Sequence, residues 1–96
     1  MNIVLDTSAY SAFMRGIDGA VEQVSLASTV FMSPIVLGEL RHGFVSGSRR
    51  VQNEQSLASF LAEKTVTVVD VTDEISRIYA ELKGGQQKVG AVLAAN

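Results

Sequence analysis

Asn2-Ile3-Val4-Leu5-Asp6-Thr7-Ser8 opens the chain with a run of β-formers that ends on an acid. The apolar residues do not alternate with polar ones, which is the pattern of a strand covered on both faces, as in a parallel sheet. Thr7 or Ser8 is placed to cap a short helix through Phe13 and Met14, and Gly16 is placed to stop it. Asp18-Gly19 then opens a second segment in which Val21, Val24 and Ala27 recur at helical spacing, ending near Ser28.

The same alternation continues outward from that start. Val30-Phe31-Met32 reads as a second buried strand, and Ser33-Pro34 matches the cap-then-proline opening of a helix running to about Val45. Its apolar face holds Val36, Leu37, Leu40 and Phe44, while Glu39 falls at the edge of that face between Ile35 and Gly43. A partly sheltered carboxylate with a partner is expected there. Ser46-Gly47-Ser48 is a turn, Arg49 to about Ala62 a helix burying Leu57, Ala58, Phe60 and Leu61, and Val66 to Val69 a third strand. Asp70-Val71-Thr72 leads into a helix with Asp73 and Glu74 in its first turn, where they favour the positive end of the dipole. Ile75, Ile78, Tyr79 and Leu82 give that helix an apolar stripe. Strands alternating with helices indicate an α/β domain with a short parallel sheet.

Composition narrows the function. With 47% apolar residues and a mean hydropathy of +0.24, 96 residues suit one packed domain rather than a disordered chain. There is no cysteine, so disulfides, thiolate zinc sites and a cysteine nucleophile are excluded, and a metal would be held by oxygen. No signal-like segment or bilayer-length apolar run is present, and a cytoplasmic location with no membrane partner is expected. A net charge of −2 argues against a broad positive field for nucleic acid, so any such binding must be local. Arg41, Arg49 and Arg50 read as helix-surface charges, and His42, the only histidine, reads as a surface residue.

Asp6 and Glu39 are the residues with chemistry to offer. In open α/β sheets, sites form outside the carboxyl ends of the strands, and Asp6 stands at such an end. One or two carboxylates can seat a hydrated magnesium ion, with a substrate phosphate completing its shell. The plainer alternatives are Asp6 as a helix cap and Glu39 as a hydrogen-bond acceptor.

Taken together, Ile3-Val4-Leu5-Asp6-Thr7-Ser8, the Ser33-Pro34-Ile35-Val36-Leu37-Gly38-Glu39-Leu40 stretch with Gly43 beyond it, the Arg49-Arg50 and Asn53 helix ending in Phe60-Leu61, and Tyr79-Ala80-Glu81-Leu82 resemble the PIN-domain family, and within it the VapC-type toxins of toxin–antitoxin pairs. The resemblance runs from Met1 to about Lys83. It implies a three-layer PIN-like domain and a magnesium-dependent endoribonuclease, with manganese as a substitute ion, held inactive by a cognate antitoxin. On that pattern Asp6 and Glu39 are the first two catalytic, metal-binding acids, and Thr7 or Ser8 a hydroxyl ligand or orienter beside the metal. The helices around Val36, Leu40, Phe44, Leu57 and Leu61, which read first as core, would also receive the antitoxin's apolar segment.

The family pattern departs after Lys83. The family continues with an Asn-Asp pair and a strand ending in Thr-x-Asp, whereas Gly84 to Asn96 contains no Asp or Glu. The expected division is a PIN-like domain over 1–83, with three recognisable strands and the last family strand missing, and an atypical tail over 84–96. Asp70 matches by order a position that caps the following helix. Without the later strand, Ile3-Val4-Leu5 would form an open apolar edge, to be covered by Val89–Ala95 or by a second copy in a homodimer, or else to leave the protein poorly stable alone. Three functions stand at this stage: an RNA-cleaving toxin, an inactive relative that binds an antitoxin or a full-length toxin, and a small α/β binding module.

Overall fold

Strands β1 (Asn2–Val4), β2 (Thr29–Met32) and β3 (Val66–Val68) form one parallel sheet in the order β1-β2-β3. This is a computed structural model in which residues 1–70, 72–77, 80 and 81 are described. Ile3 pairs with Val30 and Phe31 with Thr67, and the Leu5 N–H donates to the Phe31 carbonyl at 3.0 Å, carrying the β1–β2 ladder one residue further. Helices α1 (Thr7–Met14) and α2 (Asp18–Leu26) connect β1 to β2, and α3 (Pro34–Ser46) and α4 (Arg50–Leu61) connect β2 to β3. Residues 73–77 are helical beyond β3. This is the alternation the sequence predicts, with ends shifted by one or two residues.

Helix ends follow local chemistry. Asp6, not Thr7 or Ser8, caps α1: its Oδ1 accepts the Ala9 N–H at 2.8 Å, because the strand delivers the chain in the extended conformation a cap requires. At the other end, Gly16 adopts φ +74°, and the N–H groups of Gly16 and Ile17 donate to the carbonyls of Phe13 and Ala12. That pair of bonds is a Schellman closure, and its left-handed residue is one that a glycine fills without strain. Ser33 caps α3, with Oγ accepting the Val36 N–H at 3.2 Å and Pro34 in the first turn.

The core lies between the sheet and the helices. Ile3, Val4 and Leu5 are all buried, as expected of a strand covered on both faces. Val36, Leu40 and Leu57 are buried, while Phe44 and Leu61 are half-buried and pack against the core. Ala58 is exposed, contrary to expectation, because the inward stripe of α4 runs through Leu57, Phe60 and Leu61 at i, i+3 and i+4 and leaves Ala58 off it. Phe60 joins α4 to α1, with its ring centroid 5.4 Å from Tyr10 and 5.3 Å from Phe13. The stripe positions Ile78, Tyr79 and Leu82, and the segment 84–96 expected to form an atypical tail, lie outside the described residues. Among the described residues no helix is long and apolar enough to cross a membrane.

Candidate metal centre

Parallel strands bring their carboxyl ends to one edge, and here the chain leaves that edge through Asp6, Ser33 and Asp70. A cavity of about 500 Å³ opens there, in the position where open α/β sheets hold ligands. Asp6, Thr7 and Ser8 contribute from the start of α1, Ser33, Ile35, Val36 and Glu39 from the start of α3, and Val69, Asp70, Thr72, Ile75 and Ser76 from beyond β3.

Asp6 and Glu39, 33 positions apart, therefore share one cavity, and Thr7 connects them. The Thr7 hydroxyl donates to Glu39 Oε1 at 2.7 Å, a short bond of the kind a charged acceptor makes. The cap bond from Ala9 engages Oδ1 of Asp6 and fixes that carboxyl at the rim of the cavity. Capping and cavity lining coexist in Asp6 because the helix it caps begins at the edge where the cavity opens.

Glu39 is exposed rather than partly sheltered. The buried side of α3 is a narrow one, Val36, Leu37 and Leu40, and Ile35 on the Glu39 side faces out with 63% of its surface exposed. The edge of the helical face is thus the rim of a cleft rather than a packed interface. The expected partner exists all the same, in the form of Thr7.

Asp70 corrects another expectation. Thr72 caps the helical residues 73–77, with its Oγ1 accepting the Ile75 N–H at 3.1 Å, and Asp70 lines the cavity instead. The signal was in the sequence: Asp70 follows the third strand as Asp6 follows the first. Asp73 forms an exposed pair with Arg77 at 2.8 Å, and Arg41 bridges α3 to α4 through Glu54 at 3.3 Å, as solvent-face charges do. His42 is exposed on α3.

The donors at this edge are carboxylates and hydroxyls, which suits a hard, hydrated divalent cation and does not suit a soft one. The carboxylates on the lining that could hold one are those of Asp6, Glu39 and Asp70. Among the described residues no group of three or more His, Cys, Asp or Glu converges closely enough to hold a metal ion. A hydrated magnesium ion needs only one or two protein carboxylates, water and substrate completing its shell, so this donor set is chemically compatible with one.

The sequence profile of the PIN domain matches residues 3–94. The chain belongs to the PIN-domain family. The match takes in residues on both sides of Lys83. No protein among the curated sequences matches this PIN domain significantly. Among solved structures, a chain in the crystal structure of VapBC2 from Rickettsia felis bound to a DNA fragment from their promoter superposes with a TM-score of 0.64 at 26% identity. The superposition covers 94% of this chain and 69% of that one. The VapC-type PIN fold read from the sequence is borne out on both counts.

Proposed function

We propose that this PIN domain is a divalent-metal-dependent endoribonuclease, the toxin member of a VapBC-like pair, working in the cytoplasm. The observation that carries the reading is the sharing of one strand-end cavity by Asp6 and Glu39, with Thr7 bonded to the second. Asp6 and Glu39 are proposed to hold magnesium, or manganese in its place. When bound, such an ion supplies Lewis-acid polarisation of a phosphoryl oxygen and activation of water. The chain's own part is to fix the two carboxylates on rigid helix starts, Asp6 through its cap bond and Glu39 through Thr7, and to leave the cavity open to an RNA strand. The working residues belong to the segment 1–83. A cognate antitoxin, proposed by analogy with the VapBC2 complex, restrains the activity.

The test is RNA cleavage with 5 to 10 mM magnesium, on the order of a weak site's requirement, by wild type, Asp6→Asn and Glu39→Gln. Loss of metal-dependent cleavage in both variants is expected; unchanged cleavage in both rejects the site. A second reading is favoured by the absence, among the described residues, of a third converging acid. On that reading the PIN domain binds an antitoxin or a full-length toxin without cutting RNA. Tight antitoxin binding by a wild-type protein that shows no cleavage would select it.

A further inference from the structure

The strand-end cavity is lined by two unlike sets of side chains. Asp6, Glu39 and Asp70, with Thr7 bonded to Glu39, supply the charged groups, and Ile35, Val69 and Ile75 supply the aliphatic ones. Ile35 decides what the second set is for. It stands one helical turn before Glu39 and so on the same side of α3, yet 63% of its surface is exposed while Val69 and Ile75 are half-buried. A large aliphatic side chain held in water at the rim of a charged cavity contributes little to the fold and offers its face to a ligand.

The charged set restricts which ligand. A phosphodiester held near Asp6 and Glu39 through a cation carries its neighbouring nucleoside into the rest of the cavity, whose volume of about 500 Å³ is within the range of small-ligand pockets. The charged residue beside Val69 on this lining is Asp70, an acid, which suits a neutral base and repels a second phosphate. Ser33 and Thr72 line the same cavity, and each hydroxyl accepts a backbone N–H while keeping a proton to donate to a base carbonyl.

We propose that Ile35, together with Val69 and Ile75, forms the apolar wall on which the base next to the scissile phosphate rests, which makes Ile35 a substrate-positioning residue. The proposal rests on the RNA-cleavage reading. Among the described lining residues none is aromatic, so the wall grips by apolar contact and tolerates different bases.

Binding is measured by fluorescence anisotropy with a labelled single-stranded RNA pentanucleotide, calcium replacing magnesium so that cleavage does not intervene. Ile35→Ala is expected to weaken binding about tenfold, the loss of a few buried methylene contacts, and Ile35→Phe to restore it. Manganese affinity by calorimetry and the melting temperature stay at wild-type values in both variants, a combination a structural role would not give. An abasic nucleotide placed in turn at each position supplies the second arm. At one position its effect and that of Ile35→Ala are not additive, as contact between the two requires.

Wild-type binding by Ile35→Ala, or additive losses at every position, overturns the wall while leaving Asp6 and Glu39 untouched. If Ile35→Ala keeps its RNA affinity and loses affinity for a purified antitoxin, Ile35 is a protein contact and the wall is again overturned. Wild-type protein that binds no RNA with calcium, magnesium or manganese overturns both the wall and the nuclease reading.

Discussion

Thr7 and Tyr10, one helical turn apart, show how much a single hydroxyl depends on where it points. Thr7 donates to Glu39 in the cavity, and without it the exposed carboxylate is free to adopt other rotamers. Thr7→Val should therefore weaken manganese binding by roughly fivefold, about 1 kcal/mol, the net worth of a typical solvent-exposed hydrogen bond, and Thr7→Ser should recover most of it. Calorimetric titration of the three proteins checks this. Tyr10 is the opposite case: its hydroxyl is buried without a hydrogen-bond partner among the described residues, and burial pushes its pKa above the ordinary tyrosine range. The raised value means the folded state holds its proton longer than the unfolded chain. The associated stability is fully present below about pH 10, where an unfolded tyrosine begins to ionise, and is lost as pH climbs from there toward the folded value. Tyr10→Phe should remove that part of the alkaline instability and, by deleting an unsatisfied polar group, raise stability at neutral pH by about 1 kcal/mol. Urea denaturation at neutral pH and above pH 10 measures both effects.

At the scale of elements, Asp6 does two jobs that two substitutions separate. Asp6→Asn keeps an oxygen that accepts the Ala9 N–H, so α1 stays capped while the charge needed for a cation is gone. Asp6→Ala loses both. The expected result is equal loss of metal binding in the two variants, with only Asp6→Ala losing about 1 kcal/mol of stability; paired calorimetry and denaturant curves decide it. The sequence made the cap and the strand-end acid visible but not their union in one residue, since Asp6, Thr7 and Ser8 are all good capping types and only the extended backbone at Asp6 selects among them. The strands, the Ser33-Pro34 start and the Gly16 stop were legible because each depends on a short run of residues. Glu39's exposure was not, because helical periodicity gives the angle of a side chain around its axis and not whether another element covers that side. Asp70 was misread for a related reason: order along the chain suggested a cap, whereas Thr72, two residues on, had the better geometry.

At the scale of the molecule, a core built on the sheet of β1, β2 and β3 holds a site at its edge, and the two should respond independently. Leu57 is fully buried beneath α4 and lines none of the strand-end cavity. Leu57→Ala should cost about 3 kcal/mol, a large share of the 5–15 kcal/mol typical of small domains, and at about 5 °C per kcal/mol should lower the melting temperature by about 15 °C. A cation that binds the folded state alone stabilises it by mass action: at ten times its dissociation constant the gain is about 1.4 kcal/mol, or about 7 °C on the same scale. Because Leu57 shares no lining position with Asp6 or Glu39, the two effects should add, and saturating manganese should raise the melting temperature of Leu57→Ala as much as that of wild type. The same addition should leave Asp6→Asn and Glu39→Gln unmoved. Thermal melts with and without manganese on the four proteins test this. A shift that survives in Asp6→Asn or Glu39→Gln would place the cation elsewhere, while one lost in Leu57→Ala alone would show that the strand-end edge is held in shape by the packing beneath α4.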